Sequence, residues 1–156
     1  MTDKSAFTDA EWTALTEAPM HVTLAMMAAG EHGPISMVKE SSAAVRVISR
    51  PGDRGSANEL IAAIAPEAES KEVRKGVSHD AKANRGGDIS ALVALELSDL
   101  DGARAALEKI PADEGAHVGA WLVDIAREMA NASKGVNEHE KAAIDKLAAM
   151  FGVAQG

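Results

Sequence analysis

The chain has 156 residues, no cysteine and a formal charge of −8. This excludes disulfides, thiolate metal sites and thiol nucleophiles, and it argues against general nucleic-acid binding, where like charges repel. Aromatic residues make up only 3% of the chain and tyrosine is absent; alanine, leucine, methionine, glutamate and lysine favour helices over strands.

A chain of this length buries roughly 68–70% of its unfolded surface. The expectation is an all-α, compact single-domain helical bundle over residues 1–156, of about six to eight helices, with no cross-links. Met1 to Thr8 carries no apolar signal core, and the apolar run Ala18 to Gly30 is too short to span a bilayer. A cytoplasmic protein without membrane insertion is therefore expected.

The first helix opens at Phe7-Thr8-Asp9, with Thr8 or Asp9 as cap and Glu11 in its first turn. Trp12 and Leu15 form its apolar side. Pro19 reads as the first position of a second helix. That helix, to Ala29, is apolar on nearly every face, the mark of a buried central element. His21 within it reads as a partly buried, hydrogen-bonded residue, not a ligand, and Met20, Met26, Met27 and Met37 as core filling.

After Gly30 to Gly33, the positions Ile35, Val38, Ser42, Val45 and Ile48 mark one helical face that ends at Pro51-Gly52. Leu60, Ile61 and Ile64 mark the next helix. Residues 67–89 form a polar segment, expected to be flexible and ending at the loop Asn84-Arg85-Gly86-Gly87-Asp88. Lys71, Arg74, Lys75, Lys82 and Arg85 form a basic stripe there, suited to an acidic or phosphate-bearing partner or simply a solvated face.

The last third is the clearest. Leu92, Leu95, Leu100, Ala103, Leu107 and Ile110 keep helical spacing, interrupted near Asp101-Gly102. Val118, Trp121, Leu122, Ile125, Ala126 and Met129 follow the i, i+3, i+4, i+7 pattern. Asn137 and Glu140 predict a capping box for a final helix that buries Ile144, Leu147, Ala148 and Phe151 and stops at Gly152.

No phosphate loop, dinucleotide fingerprint, serine elbow, His-Glu-x-x-His pattern or calcium loop occurs in the chain. His117, Asp124 and Glu128, spaced by seven and four, share about one side of a helix and offer an imidazole and two carboxylates for acid–base work or a metal. A solvated flank is the plainer reading. Glu31, His32 and Glu40 near the first glycine turn, with Glu138, His139 and Glu140 near the second, become a candidate divalent-metal site if the two hairpins meet. Adjacent helical residues point about 100° apart, so neither run makes a site alone.

The Trp121-Leu122-x-x-Ile125-Ala126 helix, Val136-Asn137-x-x-Glu140, Gly33-Pro34-Ile35 and Lys39-Glu40-Ser41 resemble small bacterial helical proteins of unassigned function. The two hairpins are similar, more distantly, to the TerB tellurite-resistance family. That resemblance implies an all-helical bundle of two related hairpins, with links to metal binding and stress response. The family's Ala-Asp-Gly is replaced here by Ala29-Gly30-Glu31-His32-Gly33 and Ala132-Ser133-Lys134-Gly135, while Glu40 and Glu140 remain.

Three functions stand open at this point. The leading one is a non-enzymatic interaction or regulatory module, TerB-like and stress-associated, docking a protein partner in a groove lined by Met and Ala, with homo-oligomerisation open. The second is a divalent-metal-binding protein using the six turn residues. The third is an enzyme using His117, Asp124 and Glu128.

Overall fold

The computed structural model describes residues 4–29, 46, 48, 59–68, 89–132 and 138–153. Among them there is no strand, and the fold is all-α. A 3-10 turn, Lys4–Ala6, leads into helix α1, Asp9–Ala29. Then follow α2 (Glu59–Ala68), α3 (Ile89–Ser98), α4 (Asp101–Leu107), α5 (Ala112–Ala132) and α6 (Glu138–Met150). Among these helices, none is long and apolar enough to cross a membrane.

Helix α1 starts as its sequence dictates. The Glu11 amide donates to the Thr8 hydroxyl at 3.2 Å, and the Thr8 amide donates to the Glu11 carboxylate at 2.8 Å. This reciprocal pair satisfies two donors that the first turn leaves without helical acceptors. Pro19 does not start a new helix; it lies inside one 21-residue helix. Proline lacks the N–H that would reach the carbonyl four residues back, which normally disfavours an interior position. Here Pro19 is buried, and α1 packs against each of the five other helices described. Tertiary burial of Leu15, Ala18, Val22, Ala25, Met26 and Ala29 outweighs the lost bond.

The central role expected of the apolar segment to Ala29 therefore holds, as the C-terminal half of a longer helix. The chain's start is tied to α2 by the Trp12 indole N–H, which donates to the Glu67 carboxylate. The Lys4 ammonium lies 3.7 Å from the same carboxylate and 5.6 Å from the Trp12 ring centroid.

In α2, Leu60, Ile61 and Ile64 are buried, as their spacing predicts. Glu67 and Ala68 still belong to this helix, and Ile89 already opens α3; the rest of the polar segment, with its basic stripe, lies outside the described residues. So does most of the helix expected after Pro34, although Ile48 is buried. The interruption near Asp101 is a turn at Asp99–Leu100, where the Leu100 amide bonds back to Leu97 and fully buried Leu100 anchors the corner.

Helix α5 buries its whole predicted stripe, with Trp121 its largest buried side chain. Gly119 lies where α5 meets the end of α6, and a Cβ added there would come within 2.6 Å of the Phe151 Cβ. The end of α6 is closed by Gly152 at φ +65°, the left-handed conformation glycine tolerates. Its amide bonds to the Ala149 carbonyl at 3.4 Å and the Val153 amide to the Ala148 carbonyl at 2.8 Å, a Schellman closure. Asn137, the expected cap at the other end, lies outside the described residues.

Candidate metal centre

The chemistry-bearing group that the fold assembles sits between α1 and α3. Helix α1 presents His21 from its buried side, and α3, which runs along it, presents Glu96. His21 is 5% exposed and Glu96 7%, unusual burial for two groups able to carry charge. They meet directly: His21 Nδ1 lies 2.9 Å from Glu96 Oε2. The turn after α3 adds Asp99, whose Oδ2 is 3.7 Å from the same ring nitrogen. On the other side of the ring, Nε2 faces Glu17 Oε2 at 3.7 Å, one turn earlier on α1.

The local sequence explains this placement. Glu17 and His21 are four apart, so they share a face of α1. Glu96 and Asp99 are three apart and straddle the end of α3, where the Leu97–Leu100 turn swings Asp99 back toward α1. Two residues further along α1, the Thr23 hydroxyl donates to the Pro19 carbonyl at 2.8 Å. That bond satisfies a buried hydroxyl within the helix itself.

The electrostatics favour a positive charge at the ring. Burial disfavours the imidazolium and pushes its pKa down. The Glu96 hydrogen bond and the negative charges of Glu96, Asp99 and Glu17 outweigh burial, so the pKa stands above the ordinary histidine value. Three carboxylates around one imidazole form a cation-seeking arrangement, able to hold a proton on the ring or a metal ion at its lone pair.

Among the described residues, His21, Glu96 and Asp99 form the group of three metal-type donors that converge, with one ligand atom from each lying within 4.8 Å of the others. Donors around one ion at about 2.0–2.2 Å lie about 3.0–4.4 Å from one another. The distances of 2.9 Å and 3.7 Å from Nδ1 fall near that range. Small side-chain shifts would bring the three onto one ion.

The described residues among those that the sequence singles out lie elsewhere. On α5, His117 and Glu128 are exposed and Asp124 is half-buried. Glu138 and His139 are exposed in the first turn of α6, and Glu140 is buried there at 2% exposure. Glu31, His32 and Glu40 lie outside the described residues.

The sequence points to a partly buried, hydrogen-bonded His21 that is not a ligand; the residue is bonded to Glu96 and more deeply buried than that. The signal in the sequence is a pair: one histidine in the mostly apolar stretch 18–29, and one glutamate in the apolar run Leu92–Leu97. Two chargeable groups, each on a buried face, need each other.

A second feature is a shallow surface groove beside α3, α4 and α6. It comprises two depressions, of about 540 Å³ and 320 Å³, that share Arg104 and Met150. Ala94, Leu97 and Ala149 line the larger one. Compared with known proteins, the chain matches no family profile, no curated protein and no solved structure.

Proposed function

We propose that the protein is a divalent-metal-binding helical domain whose centre is His21, Glu96 and Asp99. The observation that carries this reading is the convergence of one imidazole and two carboxylates from α1, α3 and the turn after α3, two of the three groups being buried. The donor set suits borderline ions such as zinc, manganese, cobalt or nickel, which accept imidazole with carboxylate, over calcium or magnesium, which prefer oxygen alone.

The resemblance to TerB proteins, with its links to metal binding and stress response, supports the same class of function. In this proposal the chain is a cytoplasmic, TerB-like bundle of six to eight helices, and the metal sits between α1 and α3 instead of at the two hairpin turns.

The test is a thermal melt of chelator-stripped protein with each ion in turn. Binding to the folded state alone contributes about 2.7 kcal/mol at a hundredfold excess over the dissociation constant, which raises the midpoint of a chain this size by about 5–10 °C. The expected result is such a rise with a borderline ion, lost in Glu96→Gln and reduced in Asp99→Asn. No rise with any ion sinks the reading.

The groove favours a second reading. Its Ala94, Ala149 and Met150 lining matches the Met- and Ala-lined surface expected of an interaction module. Capture of the same protein from native lysate by wild type, but not by Ala149→Glu with Met150→Asp, supports it. Identical capture by both chains removes it.

A further inference from the structure

We infer that the centre between α1 and α3 is open on one side, so that a bound ion keeps solvent-facing positions for an exchangeable, uncharged oxygen or nitrogen donor. This rests on the metal-binding reading above. The first ground is the number of donors. Among the described residues three protein groups converge, and borderline divalent ions take four ligands or more. Three protein ligands with a free position is the pattern of sites that handle an exogenous molecule; structural sites are closed by four.

The second ground is where solvent reaches. The side chains of His21 and Glu96 are 7% and 9% exposed, whereas those of Asp99 and Glu17 are 42% and 31% exposed. The buried pair forms the floor, and for an ion on Nδ1 the opening lies on the Asp99 side. An ion seated on Nδ1 is walled by protein below and faces water there.

Glu17 takes a different part. It faces Nε2, across the ring from Glu96 and Asp99. Metal-bound imidazoles hold their other N–H toward a carboxylate, which fixes the tautomer and the ring plane. Glu17 is placed to do this and is a positioning residue.

Charge sets the class of incoming ligand. The carboxylates of Glu96 and Asp99 balance a dication, and Glu17 leaves an excess negative charge. An anion approaching the open side is repelled; water, an alcohol, a carbonyl or a neutral nitrogen base is not.

The experiment uses the full chain loaded with Co²⁺, whose visible absorption reports the number and type of its ligands. Imidazole as the neutral probe and azide as the anionic one are titrated separately. Imidazole is expected to change the bands saturably, and azide to bind at least about tenfold more weakly.

No response to either probe, with the Co²⁺ bands present, overturns the open site and leaves metal binding standing. Azide binding as tightly as imidazole overturns the charge argument. Absence of Co²⁺ bands overturns both this inference and the reading it rests on. In Glu17→Gln, checked for helix content by circular dichroism, weaker Co²⁺ binding with unchanged bands supports the positioning role. Altered bands make Glu17 a ligand and overturn that role.

Discussion

Helices α1 and α5 are both 21 residues long and put their polar groups to opposite uses. Helix α5 is a two-faced helix. Val118, Trp121, Leu122, Ile125, Ala126 and Met129 are buried, while His117 and Glu128 are exposed and Asp124 lies half-way between. Helix α1 is packed by neighbours on most of its circumference, and its single histidine points into the molecule. The helix whose imidazole and carboxylates line up in sequence leaves His117 and Glu128 exposed and Asp124 half-buried. The helix whose histidine stands alone in sequence finds two carboxylates on another element. Spacing along one helix detects sites built on one face; it cannot detect a site that half belongs to a different helix.

The largest expected effect tests the buried side of α5. Trp121→Ala removes its largest core side chain and is expected to cost about 3–5 kcal/mol in urea denaturation. A loss below about 1 kcal/mol would mean that α5 is not the packed wall it forms here.

Glu96→Gln comes next, at about 1–3 kcal/mol in the metal-free protein, because it removes a buried charge-assisted bond to His21. The pH dependence gives its sign. The His21 pKa is raised in the folded state, so its ion pair contributes fully below the unfolded value of about 6.5 and is lost as pH rises through the folded value. Urea midpoints of the chelated wild type minus those of Glu96→Gln are therefore expected to shrink as pH rises above about 6.5. A difference that stays constant contradicts the pairing.

Glu17→Gln is expected to weaken metal binding by about 10–100-fold while leaving the metal-free melt nearly unchanged, measured by titration calorimetry. The smallest effect belongs to the polar flank of α5. His117→Ala with Glu128→Ala is expected to change stability by no more than about 0.5 kcal/mol and metal affinity not at all. A metal-dependent loss there would reverse the comparison of the two helices.

Much of the fold was legible because apolar periodicity is a local property. The stripes on α2 and α5 and the break before Asp101 all follow from residues close in sequence. So do the Thr8 cap and the Gly152 stop, which need only a polar side chain or a missing Cβ at the right position. Pro19 is the instructive failure. Its ring disfavours a helix interior by a local rule, and burial against five other helices overrode that rule.

The candidate site was half legible. A hydrogen-bonded, partly buried His21 is legible in the sequence; its deep burial and its partner Glu96 are not. Glu96 is 75 positions away, and no periodicity connects the two.

By itself, then, the amino-acid order determined the helical class and which face of α2 and α5 turns inward, because side-chain hydrophobicity at a 3.6-residue period decides both without reference to distant chain. Only the tertiary structure decided that α1 runs unbroken through Pro19 and that His21 meets Glu96 and Asp99. Both outcomes depend on which helices share a core, and that choice is made by packing across the whole molecule.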